Sequence, residues 1–115
     1  MKEILVSLKA VSEGIRIRVI LLLMNKKACV CELMDVFDLT QSKLSHHLIT
    51  LRDAGLLQDE KHGKWNHYRL NVKTLSSTDR ELVNCLYRWL KNDSTIIKDR
   101  NRLEKVQKQK KIRPR

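Results

Sequence analysis

Apolar positions recur at helical spacing through most of this chain and alternate only in one central stretch. Ile4, Leu5, Leu8 and Val11 fit one side of a short amphipathic helix over residues 3–12, and Gly14 is the expected break. The next block, IRIRVILLLM, is ambiguous, because its first half alternates like a strand and its second half is uniformly apolar. It reads as a buried helix ending near Asn25. Leu33, Val36 and Phe37 then predict a short helix over roughly 31–37, followed by a turn at Leu39 and Thr40. Thr40 is placed to cap a helix in which Leu44, Leu48 and Leu51 fall at i, i+4 and i+7. Gly55 would close that helix in a left-handed conformation.

Residues 56–61 and 65–71 read as two strands of a hairpin, with His62-Gly63 between them and Gly63 supplying a positive φ. Asn66, Tyr68 and Leu70 share one face; Trp65, His67 and Arg69 share the other. A further helix is expected from near Thr78, with Thr78 and Glu81 at capping-box spacing. Leu82, Val83, Leu86, Trp89 and Leu90 form its apolar stripe. That stripe is heavy for so small a chain, so part of it is expected to face a second subunit. From Lys98 to Arg115 there are nine Lys/Arg against two Asp/Glu, and no apolar face is visible. This end reads as a polar, partly disordered arm.

A short helix, a turn, a polar-faced helix and then a hairpin make a helix-turn-helix followed by a wing. With 115 residues there is room for one domain and one modest core. The fold class is therefore mainly α (α+β), with about five helices and a two-stranded wing.

Charge narrows the partners. The formal net charge is +11, which favours a polyanion, with nucleic acid the first expectation and an anionic membrane the competitor. The longest apolar run, Val19 to Met24, has six residues against the ~20 needed to span a bilayer. The first residues, MKEILVSLKAVSEG, lack a secretory apolar region, so the expected location is cytoplasmic. There the three cysteines should stay reduced. The close pair Cys29 and Cys31, just before the helix-turn-helix, is of the type that binds metal or senses redox state. No acid/base pair, nucleophile constellation or phosphate-cradling glycine loop suggests an enzyme.

These residues resemble the ArsR/SmtB family of winged-helix repressors. The resemblance is carried by Cys29-Val30-Cys31-Glu32-Leu33, by Thr40-Gln41-Ser42-Lys43-Leu44-Ser45-His46-His47-Leu48, by Leu51-Arg52-Asp53-Ala54-Gly55-Leu56-Leu57 and by the wing Gly63-Lys64-Trp65-Asn66-His67-Tyr68-Arg69-Leu70. It covers roughly residues 4–91, and Cys-Val-Cys is similar to the arsenic-responsive branch. It implies a homodimer that binds operator DNA and releases it when ligand binds. It also implies that IRIRVILLLM is helical. On this reading residues 1–92 form the DNA-binding and dimerisation domain and 93–115 a basic C-terminal arm. The inducing ligand would be As(III) or Sb(III) at Cys29 and Cys31, with no cofactor required.

This chain departs from the branch at Met34, where many arsenic sensors carry a third cysteine. The third ligand could be Cys85, a buffer thiol or nothing. A cadmium/lead-type sensor adds N-terminal cysteines, which this chain lacks before Cys29. The zinc site of other members needs histidine on the last helix, where only Asp79 is present. Thiol oxidation and ligand-independent DNA binding remain the alternatives.

Residues i and i+2 lie about 200° apart around a regular helix, so chelation by both thiols would require the helix start to unwind. For DNA, Gln41, Ser42, Lys43, Ser45, His46 and His47 carry donors and acceptors suited to the major groove. Gln41, Ser42, Ser45 and His46 are the preferred contacts, and His47 is equally compatible with half-buried packing. Lys61, His62, Lys64 and Arg69 on the wing are expected at phosphate or the minor groove.

Overall fold

A computed structural model describes residues 1–112, with side chains through residue 109. Its elements are α1 (Lys2–Ala10), α2 (Gly14–Leu22), β1 (Ala28–Cys29), α3 (Val30–Phe37), α4 (Gln41–Asp53), β2 (Leu57–His62), β3 (Trp65–Leu70), α5 (Ser77–Leu90) and α6 (Ser94–Ile112). The ambiguous IRIRVILLLM segment is helical through Leu22. Val19, Ile20 and Leu23 are fully enclosed there, which removes the amphipathic signal that would have identified the helix.

The core is built where the helix-turn-helix pattern placed it. Leu33, Leu44, Leu48 and Leu51 are completely buried and hold α3 and α4 together. The Thr40 hydroxyl accepts from the Lys43 amide at 3.3 Å and caps α4. Gly55, at φ 85°, turns the chain out of α4 toward the sheet. Gly63, at φ 65°, closes the hairpin.

The sheet has three strands rather than two. Its order is β1-β3-β2, all antiparallel. The extra strand is only Ala28–Cys29, too short to leave an alternating pattern in sequence. It pairs Ala28 with Tyr68 and Cys29 with His67. On β3, Tyr68 and Leu70 turn into the core while Trp65 and Arg69 stay outside.

Two expectations change. The cap of α5 is Ser76, whose hydroxyl accepts from the Asp79 amide at 3.0 Å, so the helix starts one residue before Thr78. More important, the segment expected to be an arm without an apolar face is the helix α6, the sixth in the described residues. Ile96, Asp99 and Leu103 are all buried, and Leu103 is fully enclosed in the main core. The pattern was obscured because the middle residue of the stripe is a carboxylate. Arg18 of α2 neutralises Asp99 through two bonds of 2.8 Å, and its guanidinium lies 5.1 Å from the centre of the Phe37 ring. One fork thus fastens α2, α3 and α6. The last three residues of the expected arm, 113–115, lie outside the described residues.

α1 carries the opposite surprise. Ser7 and Ala10 face inward, whereas Ile4, Leu5, Val6 and Leu8 are 41–49% exposed. On α5, Val83 and Leu86 are buried but Trp89 is 72% exposed.

Candidate nucleic-acid interface and thiol site

The turn at Leu39-Thr40 sets α4 beside α3 with its first turns open to solvent. Gln41, Ser42, Lys43 and His46 are exposed and Ser45 is half-buried on the same segment. Lys61, His62 and Lys64 are exposed around the hairpin tip. Arg69 is exposed too, but it sits near the hairpin base opposite Gln58.

His47 points elsewhere. Its Nδ1 accepts from Nε of Arg16 at 3.1 Å, and Glu13 lies 3.5 Å from the same nitrogen. Burial and the Arg16 charge hold its pKa below the ordinary histidine value, against the opposing pull of Glu13. The ring therefore ties α4 to the start of α2 and supports the open face from behind.

A second tie was not legible beforehand. Asp59 on β2 accepts from Arg52 of α4 at 3.3 Å and from the Asn66 amide at 3.2 Å. This fixes the angle between α4 and the wing. The only sequence signal was that Arg52, Asp59 and Asn66 are polar residues flanking Gly55 and the hairpin.

The thiols sit at a junction. Cys29 ends β1 with φ −80° and ψ 160° and is the N-cap of α3, so only Cys31 lies within the helix. The two sulfurs therefore do not start on opposite sides of one regular helix, and the 200° obstacle is lifted in part. Cys29 is buried and Cys31 half-buried. Glu32 completes a capping box, its carboxylate accepting from the Cys29 amide at 2.8 Å. The same Cys29 is paired through its backbone to His67 of the wing. One residue is thereby shared by the first helix of the helix-turn-helix and the sheet that carries the wing.

Cys85 is not brought to this junction. It lies on α5, where its Sγ accepts from Arg88 at 3.2 Å. α5 packs on α1 and α2, whereas α3 packs on α4, α6, β1 and β3. Among the described residues no three His, Cys, Asp or Glu side chains are gathered to hold a metal ion, and none of the three cysteines is in a disulfide.

Two packed helices with an exposed second member, followed by a hairpin that β1 extends to three strands, define a winged-helix DNA-binding protein. Residues 13–59 match the family described as bacterial regulatory protein, arsR family. The chain is 38% identical over 81 residues to an arsenical resistance operon repressor of Bacillus subtilis, covering 70% of this chain and 77% of that one. It is 37% identical over 101 residues to an arsenic resistance transcriptional regulator of Pseudomonas putida, covering 82% and 79%. Among solved structures it superposes on HlyU from Vibrio cholerae with a TM-score of 0.68 and 29% identity, covering 77% of this chain and 92% of that one. The chain belongs to the arsR family of bacterial regulatory proteins. Among the described residues no helix is long and apolar enough to cross a membrane.

Proposed function

We propose that this chain is a transcriptional repressor that binds operator DNA as a homodimer and releases it when As(III) or Sb(III) is held by Cys29 and Cys31. The observation that carries the reading is the double duty of Cys29, which caps α3 and pairs with the wing strand. Relatives named as repressors of arsenical resistance operons support the ligand class. The donor set suits it, since soft thiolates are the preferred ligands of such centres. Two thiols are at the junction, and the third position falls to an exogenous thiol.

The local geometry supports a switch. For both sulfurs to face one centre, Cys29 must turn away from its capping position. The Glu32 carboxylate then loses its fixed partner, the first turn of α3 loosens, and β1 shifts against β3. α4 and the wing move apart from their ligand-free setting, so DNA and ligand favour different arrangements. A coupling of about 1–3 kcal/mol, roughly 5–150-fold in affinity, is the usual size.

The dimer reading rests on the exposed apolar face of α1 with Trp89 on α5, two helices that pack on each other. Exposed apolar side chains gathered on two packed helices are the kind of surface that marks an interface.

The test is fluorescence anisotropy of the reduced protein on duplex DNA from its own promoter, with and without equimolar As(III), beside Cys29→Ser and Cys31→Ser. Serine is a good N-cap, so the fold of α3 should survive. Release from the wild type and retention by both variants is expected. Binding that As(III) leaves untouched ends the ligand reading. Release by peroxide alone would move a thiol-oxidation sensor to the front.

A further inference from the structure

α6 presents a basic outer surface that the reading above does not use. From Lys98 to Ile112 there are seven Lys/Arg against two Asp/Glu, and the helix α6 holds this stretch in a defined place. Leu103 and the Arg18–Asp99 fork anchor its first half. Gln107 Nε2 then donates to the Lys27 carbonyl at 3.1 Å and closes the second half onto the segment entering β1. There Lys26, Lys27 and Lys108, distant in sequence, border one cleft of about 500 Å³ that is also lined by His67 of the wing strand. The cleft's two acids are engaged: Glu32 accepts from the Cys29 amide and Glu104 pairs with Lys108 at 3.2 Å. That pair is solvent-exposed and therefore weak. Among the described residues, Lys26 and Lys27 form no ion pair.

We propose that the C-terminal half of α6, with Lys26 and Lys27, is a third DNA-contacting element that meets phosphates flanking the segment read by α4 and the wing. The proposal rests on the DNA-binding reading. It follows from placement. α6 lies along α3, and the first helix of a helix-turn-helix crosses the DNA backbone. The cluster stands at the start of that helix and beside the wing strand. Because the helix is anchored, its cations are delivered with little ordering left to do at binding. Duplex DNA is favoured over an anionic membrane because the buried stripe of α6 is turned into the core, and among its described residues Ile97 is the one large apolar side chain left exposed, too little for insertion.

The experiment measures the salt dependence of binding to an unrelated duplex and to promoter DNA. It compares the full chain, a Lys26→Gln/Lys27→Gln/Lys108→Gln variant, and a control that loses the same charge far from the cluster, Lys2→Gln/Lys9→Gln/Lys73→Gln. Each phosphate contact contributes about 0.9 to the slope of log affinity against log salt, so losing three lowers it by about 2.7. Between about 50 and 200 mM salt the gap between wild type and cluster variant should change roughly 40-fold on either DNA. The preference for promoter over unrelated duplex should stay the same. Thermal melting of both variants verifies that the fold is intact. Equal slopes for wild type and cluster variant, or equal losses in both variants, overturn the inference and leave the DNA-binding reading standing. A wild-type chain that binds neither duplex removes the DNA-binding reading itself.

Discussion

Replacing Leu103 by alanine tests whether α6 is part of the folded unit. Leu103 has no exposed surface and lies in the main core cluster with Leu33 and Val36 of α3. Removing a fully enclosed leucine side chain loses its transfer free energy and leaves a cavity that α3 and α6 can only partly close. About 3 kcal/mol is expected, within the 2–5 kcal/mol seen for such truncations. For a domain of this size that corresponds to a fall of about 12 °C in Tm. Urea unfolding at two protein concentrations separates this loss from any change in self-association, because association makes apparent stability depend on concentration. Lys105→Ala, on the exposed side of the same helix, should change stability by less than about 0.5 kcal/mol. If Leu103→Ala and Lys105→Ala were indistinguishable, α6 would not be packed as described. The placement of the lysine cluster would then fail with it.

Three further outcomes are expected. Arg18 and Asp99 should couple by about 1–2 kcal/mol in a double-mutant cycle, less than a wholly buried pair because Arg18 keeps 32% of its side-chain surface exposed; additive single losses would show that the fork contributes nothing beyond packing. Glu32→Ala should cost about 1 kcal/mol by leaving the buried Cys29 amide without its carboxylate acceptor, and should speed hydrogen exchange at that amide; unchanged exchange would exclude the capping role. His47 has a folded-state pKa below its unfolded value, so the unfolded chain takes up the proton first as pH falls. Its contribution to stability is complete above the ordinary histidine value and is lost as pH falls through that value toward the lower folded one. Urea midpoints measured from pH 7.5 down to 5.5 should therefore decline, and His47→Gln should flatten the decline; identical pH profiles would refute it.

By itself the sequence determined most of the winged helix. Leu33, Leu44, Leu48 and Leu51 recur at helical spacing because each must reach the same side of α3 or α4. Thr40, Gly55 and Gly63 mark turns through local backbone chemistry alone, and a local cause leaves a local trace. The Cys29-Val30-Cys31 pair and the polar residues of α4 were legible for the same reason, as short contiguous motifs.

Tertiary structure decided the features whose cause lies far along the chain. Asp99 is a buried position only because Arg18, 81 residues away, supplies its counter-charge. A pattern of apolar positions cannot register a stripe completed by an ion pair, and so α6 read as an arm. β1 exists only because β3 offers it hydrogen bonds, and two residues have no periodicity of their own. The same pairing put Cys29 opposite His67 and made one thiol a member of both the helix start and the wing sheet. His47 was drawn toward α2 by Arg16, while Gln41, Ser42, Lys43 and His46 of the same helix stay exposed. In each case the deciding partner is remote in sequence, and folding alone brings it near.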